Sequence, residues 1–293
     1  MEEKAPSRRD FLAGAAAGAC SALSSTLAAQ ESPAPTVPGT DIPLADYHVH
    51  LDNLGLDKAL EISRRRGVRF GIVEHAGTKE NKYPIVLSSD EELKRHIAML
   101  DGKPVYKGVQ TEWVDWMTCF SKDVAAQLDY VLTDAMTFPG KDGQRVKLWE
   151  RDAPERVDMS DRAAFMERYV EWYVEIMAKQ PIDILANASW LPAPLAGEWD
   201  AFWTAARVRK VAEAAVKHGV AIEISSSLKL PKLSFLKLAR EAGVRFSFGS
   251  NIRGEGVGTL DYCLAMAKEL GLKREDLFTP APPGKKPVQI RKF

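Results

Sequence analysis

The feature that most restricts this chain is an alternation: a short β-branched run, a polar loop, then an amphipathic helix, repeated from residue 44 to residue 271. Strands are expected over 44–48, 69–73, 105–110, 129–132, 182–185, 220–224 and 244–248. Helices are expected over 57–66, 90–100, 122–127, 161–179, 200–218, 233–242 and 259–270, four of them stopped by Gly67, Gly219, Gly243 and Gly271. A strand that returns through a helix pairs in parallel, because the crossover brings the chain back to the same end of the sheet. Seven such units in 293 residues, 45% of them hydrophobic, suit a closed or nearly closed α/β barrel better than an open sheet. No phosphate-binding glycine fingerprint follows the first strand. The run Gly254-Glu255-Gly256-Val257-Gly258 comes after the last one and lacks a P-loop lysine, so it reads as a loop at the barrel mouth. The polar stretch 139–160 reads as a long insertion.

The two ends of the chain read differently. Ser7-Arg8-Arg9-Asp10-Phe11-Leu12 is a twin-arginine pattern ahead of a weakly apolar Ala/Gly run, and Ala28 and Ala29 offer a cleavage site. This gives a signal peptide over 1–29, a Pro-rich linker over 30–40, a barrel over 41–275 and a Pro/Lys-rich C-terminal tail over 276–293. Export to the periplasm or beyond is the expectation, with lipid attachment at Cys20 as a variant. The apolar run is too short for a membrane span. Lys285 to Lys292 reads as a solvated basic end. Forty basic and forty acidic side chains balance, so no electrostatic footprint for nucleic acid is expected. Cys20, Cys119 and Cys263 share no metal-type spacing, and the two that remain after cleavage read as small buried apolar residues.

In a parallel barrel the chemistry gathers where strands end. Those positions hold His48, His50 and Asp52, then Glu74 and His75, Thr111 and Glu112, Thr133 and Asp134, Asn187, Glu223 and Ser225, and finally Ser250, Asn251 and Arg253. Residues i and i+2 of an extended segment point the same way, so His48 and His50 can converge on one divalent ion. Imidazole suits Zn or Fe, carboxylate suits Mn, and Glu112 is a candidate for the carboxylate. Mixed imidazole and carboxylate ligands with an open position suit metal-dependent hydrolysis. His96 and His218 fall on helices, where exposed or capping roles are expected. Trp113 and Trp190 lie near strand ends and are candidates for a ligand-facing wall, with core packing as the plainer alternative.

At these residues the chain resembles the PHP superfamily, named for polymerase and histidinol phosphatase, from Asp46 to about Leu272. Asp46-Tyr47-His48-Val49-His50 is similar to that family's opening motif. Phe70 to His75, Gly108 to Glu112, Ala221 to Ser225 and Phe246 to Arg253 are similar to later ones. The resemblance implies a distorted (βα)7 TIM-like barrel that hydrolyses phosphoesters with up to three metals. It also implies losses: Asn251 and Arg253 stand where the last motif has ligand Asp and His, and Asn187 and Met136 stand where ligand histidines are expected. The first metal position would keep His48, His50 and Glu112, with Asn251 as a neutral oxygen. Arg253 cannot ligate a metal, but it can bind a phosphate or carboxylate in two-pronged fashion.

The expectation is therefore a phosphoesterase-like hydrolase with a single divalent ion (Mn, Zn or Fe) and a small anionic substrate. His75, Asp134 and Arg253 take catalytic roles, and Arg253, Asn187, Trp113 and Trp190 contact substrate. A non-catalytic barrel binding an anionic or sugar ligand is the alternative. An amidohydrolase-type barrel ranks below both, since no ligand Lys or late ligand Asp is present.

Overall fold

Strands with apolar residues at successive positions need cover on both faces, which a parallel sheet flanked by helices provides. In a computed structural model, which describes residues 34–293 other than Asn53, the strands are β1 (Ala45–Val49), β2 (Arg69–Ala76), β3 (Val86–Leu87), β4 (Tyr106–Thr111), β5 (Tyr130–Thr133), β6 (Thr137–Pro139), β7 (Arg145–Lys147), β8 (Ile184–Leu185), β9 (Ala221–Ser225) and β10 (Phe246–Gly249). The twin-arginine leader lies outside the described residues.

Seven strands pair in parallel in the order β1-β2-β4-β5-β8-β9-β10, with β3 added beside β2. The two ends of this sheet meet. Asn251 donates its backbone N–H to the His48 carbonyl at 3.2 Å, and the buried Asp46 carboxylate accepts from the backbone of Ser250 and Gly258, each at 2.9 Å. The result is a nearly closed α/β barrel, in agreement with the alternation in the sequence. Among the described residues no helix is long and apolar enough to cross a membrane.

The helices Leu56–Arg66, Asp90–Leu100, Arg162–Lys179, Ala205–His218, Leu233–Glu241 and Asp261–Leu270 bury one stripe each against the outside of the strands. Asp90–Leu100 turns Leu93, His96, Ile97 and Leu100 inward, the i, i+3, i+4, i+7 stripe of an amphipathic helix. His96 is thus buried, with its Nε2 3.1 Å from the Gly108 carbonyl, and not in the exposed or capping role that its polarity suggests. The expected helix over 200–218 is broken. A turn at Trp199–Phe202 precedes Ala205–His218, whose start is set by Thr204 accepting from the Arg207 N–H.

A second, smaller core fills the barrel. Tyr47, Val73, Tyr130, Leu132, Ile184 and Phe278 meet there. Gly71 and Gly108 make the room: a Cβ at either would fall within 2.5 Å of the Tyr130 side chain. Phe278 comes from the segment expected as a tail. That segment docks: Leu277 bridges to Phe246, Lys286 donates to the Ala126 carbonyl at 3.0 Å, and Arg291 donates to the Met177 carbonyl at 2.6 Å. Of the basic end, Lys286 and Arg291 are held by carbonyls near element ends, while Lys285 and Lys292 are exposed as expected of a solvated end.

The insertion after β5 is also ordered. β6 and β7 form an antiparallel hairpin. From it Arg145 reaches Asn81 (2.7 Å), Asp115 (3.0 Å), Thr78 (2.7 Å) and Glu80, and Lys147 donates to the Asn81 carbonyl at 2.6 Å. The loop after β2 is therefore fastened to the hairpin after β5.

Candidate metal-binding site

A bulge in β1 positions the histidines. Asp46 pairs with Phe70 and Val49 with Ile72, so β1 spends one residue more than β2 between these rungs. An extra residue reverses the inside–outside alternation and re-aims the side chains beyond it. Before the bulge Ala45 and Tyr47 enter the inner core. After it His48 and His50 point to the mouth. Tyr130 donates its hydroxyl to the Tyr47 carbonyl at 2.7 Å, which satisfies the backbone at the bulge.

Beyond the strand ends the backbone turns through left-handed conformations at Asp52, Asn187 and Asn251, with φ of 28°, 51° and 46°. Asp and Asn are the side-chain-bearing residues that best tolerate this region. Backbone geometry thus gives Asn187 and Asn251 a reason to be asparagine, independent of any ligand.

The polar side chains sort into two networks. In the first, His48 Nδ1 lies 2.6 Å from Glu223 Oε1, and Glu223 Oε2 accepts from the Asn187 backbone N–H at 2.9 Å. His48 Nε2 and His50 Nε2 both reach Gln110 Oε1, at 3.0 and 2.8 Å. Gln110 Nε2 donates to Asp134 Oδ2 at 3.2 Å, as does Asn187 Nδ2 at 3.1 Å, and Asn251 Nδ2 donates to Asn187 Oδ1 at 3.0 Å. The second Asp134 oxygen accepts from the Met136 backbone N–H at 2.9 Å.

In the second network, His50 Nδ1, His75 Nε2 and Glu74 Oε2 are buried and have no hydrogen-bond partner. The rings of His50 and His75 stack at 4.7 Å, and Tyr83 stacks on His75 at 3.5 Å. Glu112 faces His75 and Tyr83: its Oε1 is 3.0 Å from His75 Nδ1, and its Oε2 accepts from the Tyr83 hydroxyl at 3.0 Å. Arg253, 46% exposed at the mouth, holds Asp52 through Nε at 3.1 Å.

Burial dominates the electrostatics here, because a charged form loses its hydration. It pushes the carboxyls of Glu74, Glu112 and Asp134 up to about 7. Burial, helped by the Arg253 charge, brings His75 down to about 3. Burial also drives His50 well below the usual imidazole value, with His75 and His48 adding to the effect. His48 is the exception. Burial pulls it down, but the Glu223 carboxylate outweighs this and holds it above the ordinary value.

Among the described residues, one group of three ligand-type side chains brings ligand atoms within 4.8 Å of one another: His50, Asp52 and Glu74. It shares His50 with the ligand set expected from sequence. Of that set, His48 and His50 meet at Gln110, Glu112 turns to His75 and Tyr83, and Asn251 donates to Asn187. Among the expected substrate contacts, Trp113 packs against Trp172 at 5.3 Å, and half-buried Trp190 closes a turn onto the Asn187 carbonyl. The sequence alone singles out neither Gln110 nor Tyr83. Gln110 lies on β4 two residues before Glu112, which directly follows the strand's last residue, so the alternation places both on the mouth side. Tyr83 sits in a loop, where no periodicity marks it.

One glycine is tied to this arrangement. A Cβ at Gly249 would lie 1.9 Å from Glu223 Oε1 and 2.9 Å from the His48 Cβ.

No family model matches the chain, and neither does any curated protein. Among solved structures the chain is similar to a histidinol phosphate phosphatase from Lactococcus lactis subsp. lactis Il1403, crystallised with zinc, L-histidinol and phosphate. The TM-score is 0.54 at 13% identity, over 85% of this chain and 98% of that one. An uncharacterized protein aligns over 85% of this chain and 74% of that one at 12% identity, with a TM-score of 0.35. The first likeness is one of fold and agrees with the α/β barrel read from sequence.

Proposed function

We propose that this chain is a metal-dependent hydrolase of phosphoesterase type, with one divalent ion (Mn, Zn or Fe) held by His50, Asp52 and Glu74. The observation that carries the reading is the convergence of one imidazole and two carboxylates, in which His50 Nδ1 and Glu74 Oε2 are buried with no partner. Buried polar atoms are paired in more than nine cases of ten, roughly, so several orphans in one place call for an occupant. A mixed nitrogen and oxygen donor set suits Mn, Fe or Zn. The zinc and phosphate bound by the fold neighbour are in keeping with this. Such an ion supplies Lewis-acid stabilisation of charge developing on a phosphoryl oxygen.

The chain's own residues do the rest. Arg253 is half-exposed and can exchange Asp52 for an anionic group, which its planar fork accepts bidentately. Glu112 holds His75 Nδ1–H and so directs the Nε2 lone pair to the site. Burial keeps that ring neutral and only weakly basic, the form able to accept a hydrogen bond from an attacking water and so orient it. Both oxygens of Asp134 are committed, so in this reading it anchors Gln110 and Asn187. Export by the twin-arginine route belongs to the proposal on the leader residues alone.

A second reading has its own observation. The Arg253–Asp52 pair places a permanent cation beside the ligand group, which suits a non-catalytic barrel that binds an anion without metal. Metal content separates the two. The purified full-length chain, dialysed and measured by mass spectrometry, is expected to keep about one equivalent of Mn, Zn or Fe and to hydrolyse p-nitrophenyl phosphate. Glu74→Gln and Asp52→Asn should each weaken retention by roughly tenfold or more, since each removes a ligand charge. A chain that keeps no ion, and whose thermal stability ignores all three metals, refutes the hydrolase.

A further inference from the structure

We infer that Gln110 is a positioning residue that divides the two β1 histidines between two jobs: it presents Nδ1 of His50, and no atom of His48, to the cation. The inference rests on the metal reading above.

One oxygen sets both rings. Gln110 Oε1 lies 3.0 Å from His48 Nε2 and 2.8 Å from His50 Nε2. A carbonyl oxygen only accepts, so both nitrogens must carry hydrogen. The amide could satisfy two lone pairs instead if it were turned over, but its other end decides the matter. Gln110 Nε2 faces Asp134 Oδ2, the same oxygen that accepts from Asn187 Nδ2, while Asp134 Oδ1 accepts from the Met136 backbone. Asp134 already accepts from Asn187 Nδ2 and the Met136 N–H, and a second acceptor oxygen set against Oδ2 would be repelled, so the amide turns its nitrogen toward Asp134 and its oxygen toward the histidines.

The consequences differ for the two rings. His48 has Nε2 committed to Gln110 and Nδ1 committed to Glu223 at 2.6 Å, so neither nitrogen offers a lone pair. His50 has Nε2 committed and Nδ1 without a partner. A neutral imidazole protonated on Nε2 carries its lone pair on Nδ1. That is the nitrogen His50 has left for the group it forms with Asp52 and Glu74. The two histidines that look equivalent in sequence are therefore unlike: His48 belongs to the hydrogen-bonded wall and His50 to the ion.

The test uses the full chain with 15N-labelled histidine rings and Zn²⁺ as the probe. Without added metal, both nitrogens of His48 and Nε2 of His50 should show protonated-type shifts, with Nδ1 of His50 alone of the four at the unprotonated position. Zn²⁺ should move Nδ1 of His50 and leave His48 in place. Gln110→Met keeps the bulk but removes the carbonyl. It should mix the His50 tautomers and weaken zinc roughly tenfold to a hundredfold, the usual cost of losing a ligand's outer partner. Zinc bound with Nε2 of either ring as the responding atom, or bound equally well by Gln110→Met with unchanged tautomers, overturns the inference while leaving the metal reading intact. A chain in which no ring nitrogen responds and no zinc is retained refutes the metal reading itself, and this inference with it.

Discussion

Replacing Gly249 with alanine tests how tightly the wall of the site is built. The new methyl would sit 1.9 Å from Glu223 Oε1 and 2.7 Å from its Cδ. Neither His48 nor Glu223 has open space around it, since both are buried. The Glu223 carboxylate must move, and two interactions go with it: the 2.6 Å contact with His48 and the 2.9 Å bond from the Asn187 N–H. Overpacking a filled interior costs ~1–3 kcal/mol, and each buried hydrogen bond to a charged group contributes ~1.5–3 kcal/mol. Partial relaxation recovers some of this, so a loss of about 3–5 kcal/mol is expected. In a domain of this size 1 kcal/mol shifts Tm by ~2–4 °C, which places Gly249→Ala about 10 °C below the wild type. Urea unfolding should show a lower midpoint with an unchanged slope. Gly197 provides the control, because a Cβ there would meet nothing within 4 Å and its φ is −67°: Gly197→Ala should be neutral or slightly stabilising. If Gly249→Ala lost less than ~1 kcal/mol, the order of a typical surface change, the packing argument would be wrong.

Two further outcomes follow from charges elsewhere. Burial pushes Asp183 up to about 7, and its Oδ2 accepts from the Val131 N–H at 2.8 Å; since the folded pKa is raised, its contribution to stability is full below the ordinary carboxyl value of 3.8 and is lost as pH rises through about 7. Asp183→Asn should remove that loss, up to ~1.4 kcal/mol per pH unit between these values, so urea midpoints that fall equally steeply with pH in both proteins would contradict it. Arg253→Ala should act in opposite directions on two ligands, tightening Mn²⁺ by up to about fivefold, because a half-exposed ion pair contributes ~0–1 kcal/mol, while weakening inorganic phosphate roughly tenfold to a hundredfold through lost charged hydrogen bonds. Calorimetric titration of both ligands checks this, and a change of the same sign for each would refute the role given to Arg253.

The barrel is legible in the sequence because parallel strands and their helices obey strong periodicities. The expected strand over 69–73 is the first part of β2, and the helix over 90–100 matches Asp90–Leu100. The burial of His96 is legible too once the helix stripe is weighed above the residue's polarity, since it falls between Leu93 and Ile97. The site is legible as a face and not as a set of partners. Asp52 and Glu74 appear among the strand-end residues, but nothing local says that His50 turns to them while His48 turns to Glu223, 175 residues away. The bulge in β1 leaves no mark in Tyr47-His48, since it is defined by register against β2. Gln110 carries no signal of its own because amides are not the usual metal ligands, and its importance lies in what it does to its neighbours.

The hairpin β6–β7 carries a practical lesson for anyone redesigning this barrel. Its Arg145 and Lys147 grip Thr78, Glu80 and Asn81, and that same loop presents Tyr83 to the face of His75. Two segments far apart in sequence, with Arg145 and Thr78 separated by 67 positions, thus behave as halves of a single interchangeable part. A graft that swaps one half for a foreign loop would leave Tyr83 without its clamp, so specificity transplants should exchange both halves together or neither.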